Sequence, residues 1–206
     1  MGLCTPELRD ELLDELLKLN FHAYLQVLCE VLRKMGYEEV RLAGRTGYVG
    51  RNSSGGADIL ACKSVPSGRR SIVIQAKQFS PKRQIFQRSL DELRGVVLRS
   101  SAAEGIFITT STFSESVDTE SLASASVVPL RFIDGAYLAD QMALYRVGAK
   151  KLPACSNPEH SPYLLDRRYF TTINSQYAGV ARSLDSERRS VYIFVGARTR
   201  KRREVL

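Results

Sequence analysis

Histidine is nearly absent: His22 and His160 are the two in 206 residues, and they stand far apart. That sets aside histidine-based acid–base chemistry and histidine metal sites. Cysteine is scarce as well. Cys4, Cys29, Cys62 and Cys155 are scattered with no C-x-x-C pair, so they read as reduced thiols of a cytoplasmic protein. Cys155 and His160 form at best half a metal site, and the other half is missing. No apolar run approaches the roughly 18 residues of a membrane span. The first residues, MGLCTPELRDELLDELLK, are acidic and helical where a signal peptide has a basic start and an apolar middle. Pro6 stands where a myristoylation signal has Ser or Thr. There is no G-x-x-x-x-G-K-[ST] loop, so no nucleotide cofactor is expected, and no G-x-S-x-G elbow.

What is present is an ordinary globular composition, 44% hydrophobic and 25% charged, with an uneven charge. Residues 1–40 hold four basic and eight acidic side chains, whereas residues 41–94 hold eleven basic and three acidic. Residues 95–150 come to −2 and residues 151–206 to +6, within a net charge of +8. A local basic excess attracts polyanions, nucleic acid above all, although it also serves plain solubility.

Along the chain, Thr5 and Pro6 open a helix with Leu8, Leu12, Leu16 and Leu19 at helical spacing. Asn20 caps a second helix with the stripe Tyr24, Leu28, Val31 and Met35, and Gly36 stops it. EEVRLA (38–43) reads as a strand. Five glycines within residues 44–56 make a loop leading into the strand ADILACK (57–63). Pro66 and Gly68 turn the chain into SIVIQAKQF (71–79). RQIFQRSLDELRGVVLRSSAA has helical periodicity through Ile85, Leu90, Leu93 and Val97, GIFITTS (105–111) is a buried strand, and FSESVDTESLASA is helical. VVPLRFID (127–134) is a strand and GAYLADQMALYRV a helix. This order predicts an α/β domain with a mixed sheet covered by helices on both faces. The expected division is a helical extension over 1–20, a core over 21–148, and an extension over 149–206 in which YFTTI and SVYIFVG read as strands before the basic RTRKRR tail.

The strand SIVIQAKQF sets Ile72, Ile74 and Ala76 on one face and Val73, Gln75 and Lys77 on the other. So apolar a strand is buried, and a lysine is seldom buried without a purpose. Antiparallel pairing across the Pro66–Gly68 turn brings Asp58 near Gln75 and Lys77 on the same face. A carboxylate, an amide oxygen and backbone carbonyls are hard ligands suited to Mg²⁺. A lysine beside them would orient a water and stabilise charge at an attacked phosphate. The same trio also fits a partly buried Asp58–Lys77 ion pair satisfied by Gln75.

The segments GGAD, IVIQAKQF, ELRGVV, GIFITTSTFS and FIDGAYLADQM together resemble the catalytic domain of Mrr-type restriction endonucleases, within the PD-(D/E)xK nuclease superfamily. The resemblance covers residues 20–147. It implies a restriction-endonuclease-like mixed central sheet and Mg²⁺-dependent cleavage of double-stranded DNA, with Mn²⁺ as a possible substitute, in type IV restriction-like defence against foreign or modified DNA. By position, Asp58 and Gln75 correspond to the metal-binding pair, aided by the backbone carbonyl of Ala76, and Lys77 to the catalytic lysine. Gln75 stands where most of the superfamily has an acid. The acid often found early in the first core helix is replaced by Leu25, with Glu30 the nearest acid and a weak candidate, since helix charges usually face water.

Arg45, Arg51, Lys82 and Arg83 flank the site and suit phosphate contact as well as solubility. Thr109, Thr110 and Ser111 suit backbone satisfaction at a strand end, and Asp134 with Gly135 a turn and helix cap. Cutting both strands of a duplex suits a homodimer. Two other readings fit the same residues: a DNA-binding module that kept the fold without the chemistry, and a structure-selective junction nuclease.

Overall fold

The computed structural model describes residues 4–43, 56–117, 128–152 and 162–178. The chain opens with α1 (Pro6–Lys18), where the Thr5 hydroxyl accepts from the Leu8 N–H at 3.4 Å. Leu8, Leu12, Leu13 and Leu16 turn inward along one side, the stripe that a helical repeat of leucines dictates. Asn20 then caps α2 (Phe21–Lys34), accepting from Ala23 N–H at 2.9 Å. Gly36, at φ +87°, takes the left-handed turn that ends it.

Five strands follow in the spatial order β1-β2-β3-β4-β5: β1 (Glu38–Leu42), β2 (Ile59–Val65), β3 (Gly68–Lys77), β4 (Glu104–Thr109) and β5 (Leu130–Ile133). The first three are antiparallel, with Val65 paired to Gly68 around a two-residue turn. From β3 onward the sheet is parallel, Gln75 lying beside Phe107 and Lys77 beside Thr109. A parallel neighbour needs a crossover, and α3 (Gln87–Ser100) supplies it between β3 and β4. α4 (Gly135–Leu144) comes after β5.

The strand alternation read from SIVIQAKQF is realised as two cores. Ile72, Ile74 and Ala76 pack with α1, α2 and α4, while Val73 packs with Phe107 and the Leu90, Leu93 and Val97 stripe of α3. β3 is therefore buried on both faces, which is why it reads as a nearly continuous apolar run.

Three expectations change. The helix expected from Arg83 onward begins only at Gln87, and Ile85 instead forms a bridge to Phe113, with its N–H on Thr112 O. The start of FSESVDTESLASA is also not helical; Phe113 holds that bridge and Val117 N–H closes a turn on Ser114 O. The rest of that segment lies outside the described residues. YFTTI, read as a strand from its branched and aromatic residues, lies in α5 (Arg167–Gln176). Asp166 caps this helix on Tyr169 N–H, and Tyr169, Phe170, Ile173 and Tyr177 pack at helical spacing on the core, so tertiary burial overrides the strand propensity. A short hairpin of β6 (Ala149–Lys151) and β7 (Tyr163–Leu165) leads into it. SVYIFVG, the RTRKRR tail, Cys155 and His160 lie outside the described residues. Cys4, Cys29 and Cys62 are free thiols. Among the described residues no helix is long and apolar enough to cross a membrane.

Candidate active site

The β2–β3 ladder ends with Ile59 paired to Ile74, and Asp58 stands just beyond that end, bonded to the residues on either side of Gln75. Asp58 is fixed by its own backbone on both sides. Its N–H donates to Ile74 O, and its carbonyl accepts from Ala43 N–H at the end of β1, each at 2.9 Å. Its carboxyl then takes over the role of a ladder acceptor: Oδ2 accepts from the N–H of Ala76 at 2.8 Å, between Gln75 and Lys77. The three side chains anticipated from sequence are thus gathered at one end of the sheet.

The electrostatics of this corner are those of a charge held out of water. Burial pushes the Asp58 carboxyl up to about 6, against the pull of the Ala76 N–H and the Lys77 ammonium, which favour the ionised form. Among the described residues no ion pair joins Asp58 to Lys77, whose ammonium acts on the carboxyl through its charge. Gln75 is only 5% exposed, and its Oε1 has no hydrogen-bond partner. Leaving a buried acceptor unpaired costs about 1–3 kcal/mol. Among the described residues no three His, Cys, Asp or Glu side chains cluster to hold a metal. A cation here would rest on one carboxylate plus neutral oxygens.

Those oxygens fit a hard divalent ion. The Gln75 amide oxygen is an unused buried acceptor on the residue before Ala76, whose N–H holds the carboxylate. Ala76 directs its N–H toward Asp58. In an extended strand the C=O of a residue points to the same side as its N–H, so the Ala76 carbonyl is aimed along the same edge.

Around the trio, the serine and threonine cluster after β4 acts as expected, on backbone groups. The Thr110 hydroxyl donates to Phe79 O at 2.7 Å and accepts from Phe79 N–H at 2.9 Å, while Thr110 N–H reaches Lys77 O at 3.2 Å. Thr109 Oγ1 accepts from Ser111 N–H at 3.1 Å, and the Ser111 hydroxyl donates to Arg83 O. Asp134 caps α4 on Tyr137 N–H at 2.8 Å.

Glu30 does not join the site. Its carboxylate accepts from the Tyr169 hydroxyl at 2.7 Å and pairs with Lys34 at 3.2 Å, fastening α5 to α2. Leu25, at the position of the usual helix acid, is fully buried core. Lys82 and Arg83 are exposed on the loop after β3. Arg45 and Arg51 lie outside the described residues. One group that the sequence offered only as helix stripe is Tyr24. Its buried hydroxyl has no partner, and burial, followed by the charge of Asp58, holds it protonated well above the ordinary phenol range. Only the fold brings that hydroxyl within the field of Asp58; helical periodicity carries no sign of it.

Comparison with known proteins agrees with this architecture. The family model described as restriction endonuclease, for the Mrr catalytic domain, matches residues 16–142. No curated protein sequence matches the chain. Among solved structures, the DNA modification-dependent restriction endonuclease AspBHI is similar at 13% identity and a TM-score of 0.56, covering 87% of this chain and 41% of its own. MspJI restriction endonuclease in complex with a 27-mer oligonucleotide is similar at 21% identity and a TM-score of 0.46, covering 68% of this chain and 32% of its own. The chain thus spans about a third to two fifths of the length of these two solved proteins.

Proposed function

Because this chain belongs to the restriction endonuclease family, through its Mrr-type catalytic domain, we propose that it hydrolyses DNA phosphodiester bonds at Asp58, Gln75 and Lys77 with Mg²⁺ as the working ion. The observation that carries this reading is the pairing of a buried carboxylate, locked onto the Ala76 N–H, with a buried amide oxygen that has no partner. Both cost stability in the isolated chain, and both are relieved by a cation. Restriction endonucleases generally use divalent metal ions; here Mg²⁺, or Mn²⁺ in its place, would rest on Asp58, the Gln75 amide oxygen and the Ala76 carbonyl and supply Lewis-acid polarisation of the phosphate.

The chain's own groups do the rest. Asp58 and Gln75 hold the ligating oxygens on one rigid strand pair. Lys77, partly exposed at the mouth of the site, places an ammonium where negative charge grows on the phosphate and orients the attacking water. The neutral Gln75 in place of an acid lowers the site's charge, so a higher concentration of the ion is needed to fill it. The substrate is double-stranded DNA, foreign or modified, met in the cytoplasm, and a homodimer brings one site to each strand.

The test is plasmid cleavage with methylated and unmethylated DNA, with Mg²⁺ and with EDTA. The parent cuts only with the ion, and Lys77→Ala abolishes cutting while its melting temperature stays within a degree or so. A Lys77→Ala protein that cuts as well as the parent ends this assignment. Binding without cleavage on any DNA would favour a module that kept the fold alone, and cutting of branched but not linear duplex would favour a junction nuclease.

A further inference from the structure

We propose that the loop from Gln78 to Phe86 is a stacking platform that grips an unpaired base beside the scissile phosphate, with Phe86 as the stacking ring and Lys82 and Arg83 on flanking phosphates. The inference rests on the nuclease reading and deepens it, since the loop leaves β3 directly after Lys77.

The loop is pinned to the rest of the fold at Gln78, Phe79, Arg83 and Ile85. The Gln78 side-chain Nε2 donates to Leu16 O at 2.6 Å and to Leu19 O at 2.9 Å, and Thr110 binds both backbone groups of Phe79. Ser111 binds Arg83 O, and Ile85 is buried, with its N–H on Thr112 O and its carbonyl on Ser114 N–H at 2.9 and 2.8 Å. Thr110, Ser111, Thr112 and Ser114 follow the carboxyl end of β4, the same end of the sheet as Lys77. A segment pinned this way gains nothing further from leaving a phenylalanine in water, yet Phe86 is 58% exposed.

A single exposed apolar side chain usually needs no explanation. The other residues of the loop make the difference. The Arg83 guanidinium lies over the Phe79 ring at 3.8 Å from its centroid, a stacking that stiffens the arginine and keeps its donors free for phosphate. Among the described residues neither Lys82 nor Arg83 forms an ion pair. Phe86 itself stands at the N-cap of α3 without a side-chain cap bond, and no acid occupies the first turn of that helix. Exposed cations without carboxylate partners in the same loop as an exposed ring are what backbone neutralisation and base stacking together require. A fully paired duplex hides the base faces, so the ring can engage only where a base is splayed out of the stack.

The experiment measures binding of the full chain in EDTA by fluorescence anisotropy. One probe is a labelled duplex, fully paired; the other is the same duplex carrying a short central bubble. The parent is expected to prefer the bubble. Phe86→Ala loses roughly tenfold on the bubble, the cost of one stacked base, with less than about a twofold change on the paired duplex, and Phe86→Trp restores the preference. Arg83→Ala weakens both and lowers the salt slope by about one. Circular dichroism and melting check that each variant is folded. A Phe86→Ala protein that binds the bubble as tightly as the parent, or a parent without preference, overturns the platform. If the parent still cuts plasmid with Mg²⁺ in that case, the platform alone falls; if it neither binds nor cuts, the nuclease reading falls with it.

Discussion

Asp58 and Gln75 meet where the β2–β3 ladder ends, but only Asp58 finds a hydrogen bond, from the N–H of Ala76 at 2.8 Å. The two residues are unequal in the same corner. One is charged and partly satisfied, the other neutral, almost fully buried and unsatisfied. A fold selected for stability alone would fill this corner with an apolar side chain, as it does two residues earlier on the same face with Val73.

Asp58→Asn should therefore stabilise the metal-free protein at neutral pH. Burial pushes the folded carboxyl up from its ordinary 3.8 to about 6. The native state holds its proton more tightly than the unfolded chain, so stability falls as pH rises through this window. Below about 4 the penalty is absent, and above about 6 it is fully present, on the order of 3 kcal/mol. Urea unfolding in EDTA should show the variant ahead of the parent by up to about that amount at pH 7.5, with the gap closing toward pH 4. A gap that is constant with pH would mean that Asp58 is not the buried charge described here. With Mg²⁺ present, the parent alone should gain in melting temperature.

Gln75→Met removes the unpaired acceptor at nearly the same volume. The metal-free protein should gain about 1–2 kcal/mol, since an apolar isostere no longer carries a desolvated oxygen, while cleavage is lost. Chemical denaturation and a plasmid assay on the same preparation read both effects. A variant that is less stable than the parent would show that Oε1 is satisfied in solution.

Much of this was legible in the residues. The two caps at Thr5 and Asn20, the leucine stripe of α1 and the alternation of SIVIQAK are local rules written at fixed spacing, and the fold obeys them. So is the closeness of Asp58 to Gln75, because a two-residue turn fixes the register over the intervening strand. What could not be read are features set by partners far away in sequence. Tyr169 and Phe170 carry strand-forming residue types, but their burial against α1 and α2 decides for a helix. Ile85 fits a helical repeat, yet its backbone is claimed by Thr112 and Ser114. Glu30 carries the right chemistry on the right helix, and nothing in its neighbours announces Tyr169, which lies 139 residues further on.

Thr110 is the clamp between β3 and the loop after it, and two variants test it from opposite sides. Thr110→Val keeps the shape and deletes a hydroxyl that serves both the N–H and the C=O of Phe79. Two backbone groups lose their partner, so a loss of about 2–4 kcal/mol is expected. Gly135→Ala presses from below: a Cβ there would stand 2.6 Å from the Thr110 carbonyl oxygen, and Gly135 N–H already donates to Ser111 O at 2.8 Å. That displacement should cost about 1–3 kcal/mol and lower cleavage as well. Loss of stability without any loss of activity, in either variant, would show that the loop does not support the site.

Glu30 provides the opposite case, a carboxylate whose loss should be felt by the fold and not by the chemistry. It accepts from Tyr169 at 2.7 Å and pairs with Lys34 on the same helix face. The charged hydrogen bond accounts for about 1–2 kcal/mol, and the exposed i,i+4 pair for only about 0.3–0.5. Glu30→Ala should lower stability by roughly the first figure, and Tyr169→Phe by a similar amount. The double variant should then lose much less than the two separate losses combined, because both break one bond. Both single variants should cut DNA within about twofold of the parent at a temperature well below melting. A Glu30→Ala protein that is folded but inactive would bring Glu30 back as the helix acid of the site, and would require α5 to release it when metal or DNA binds.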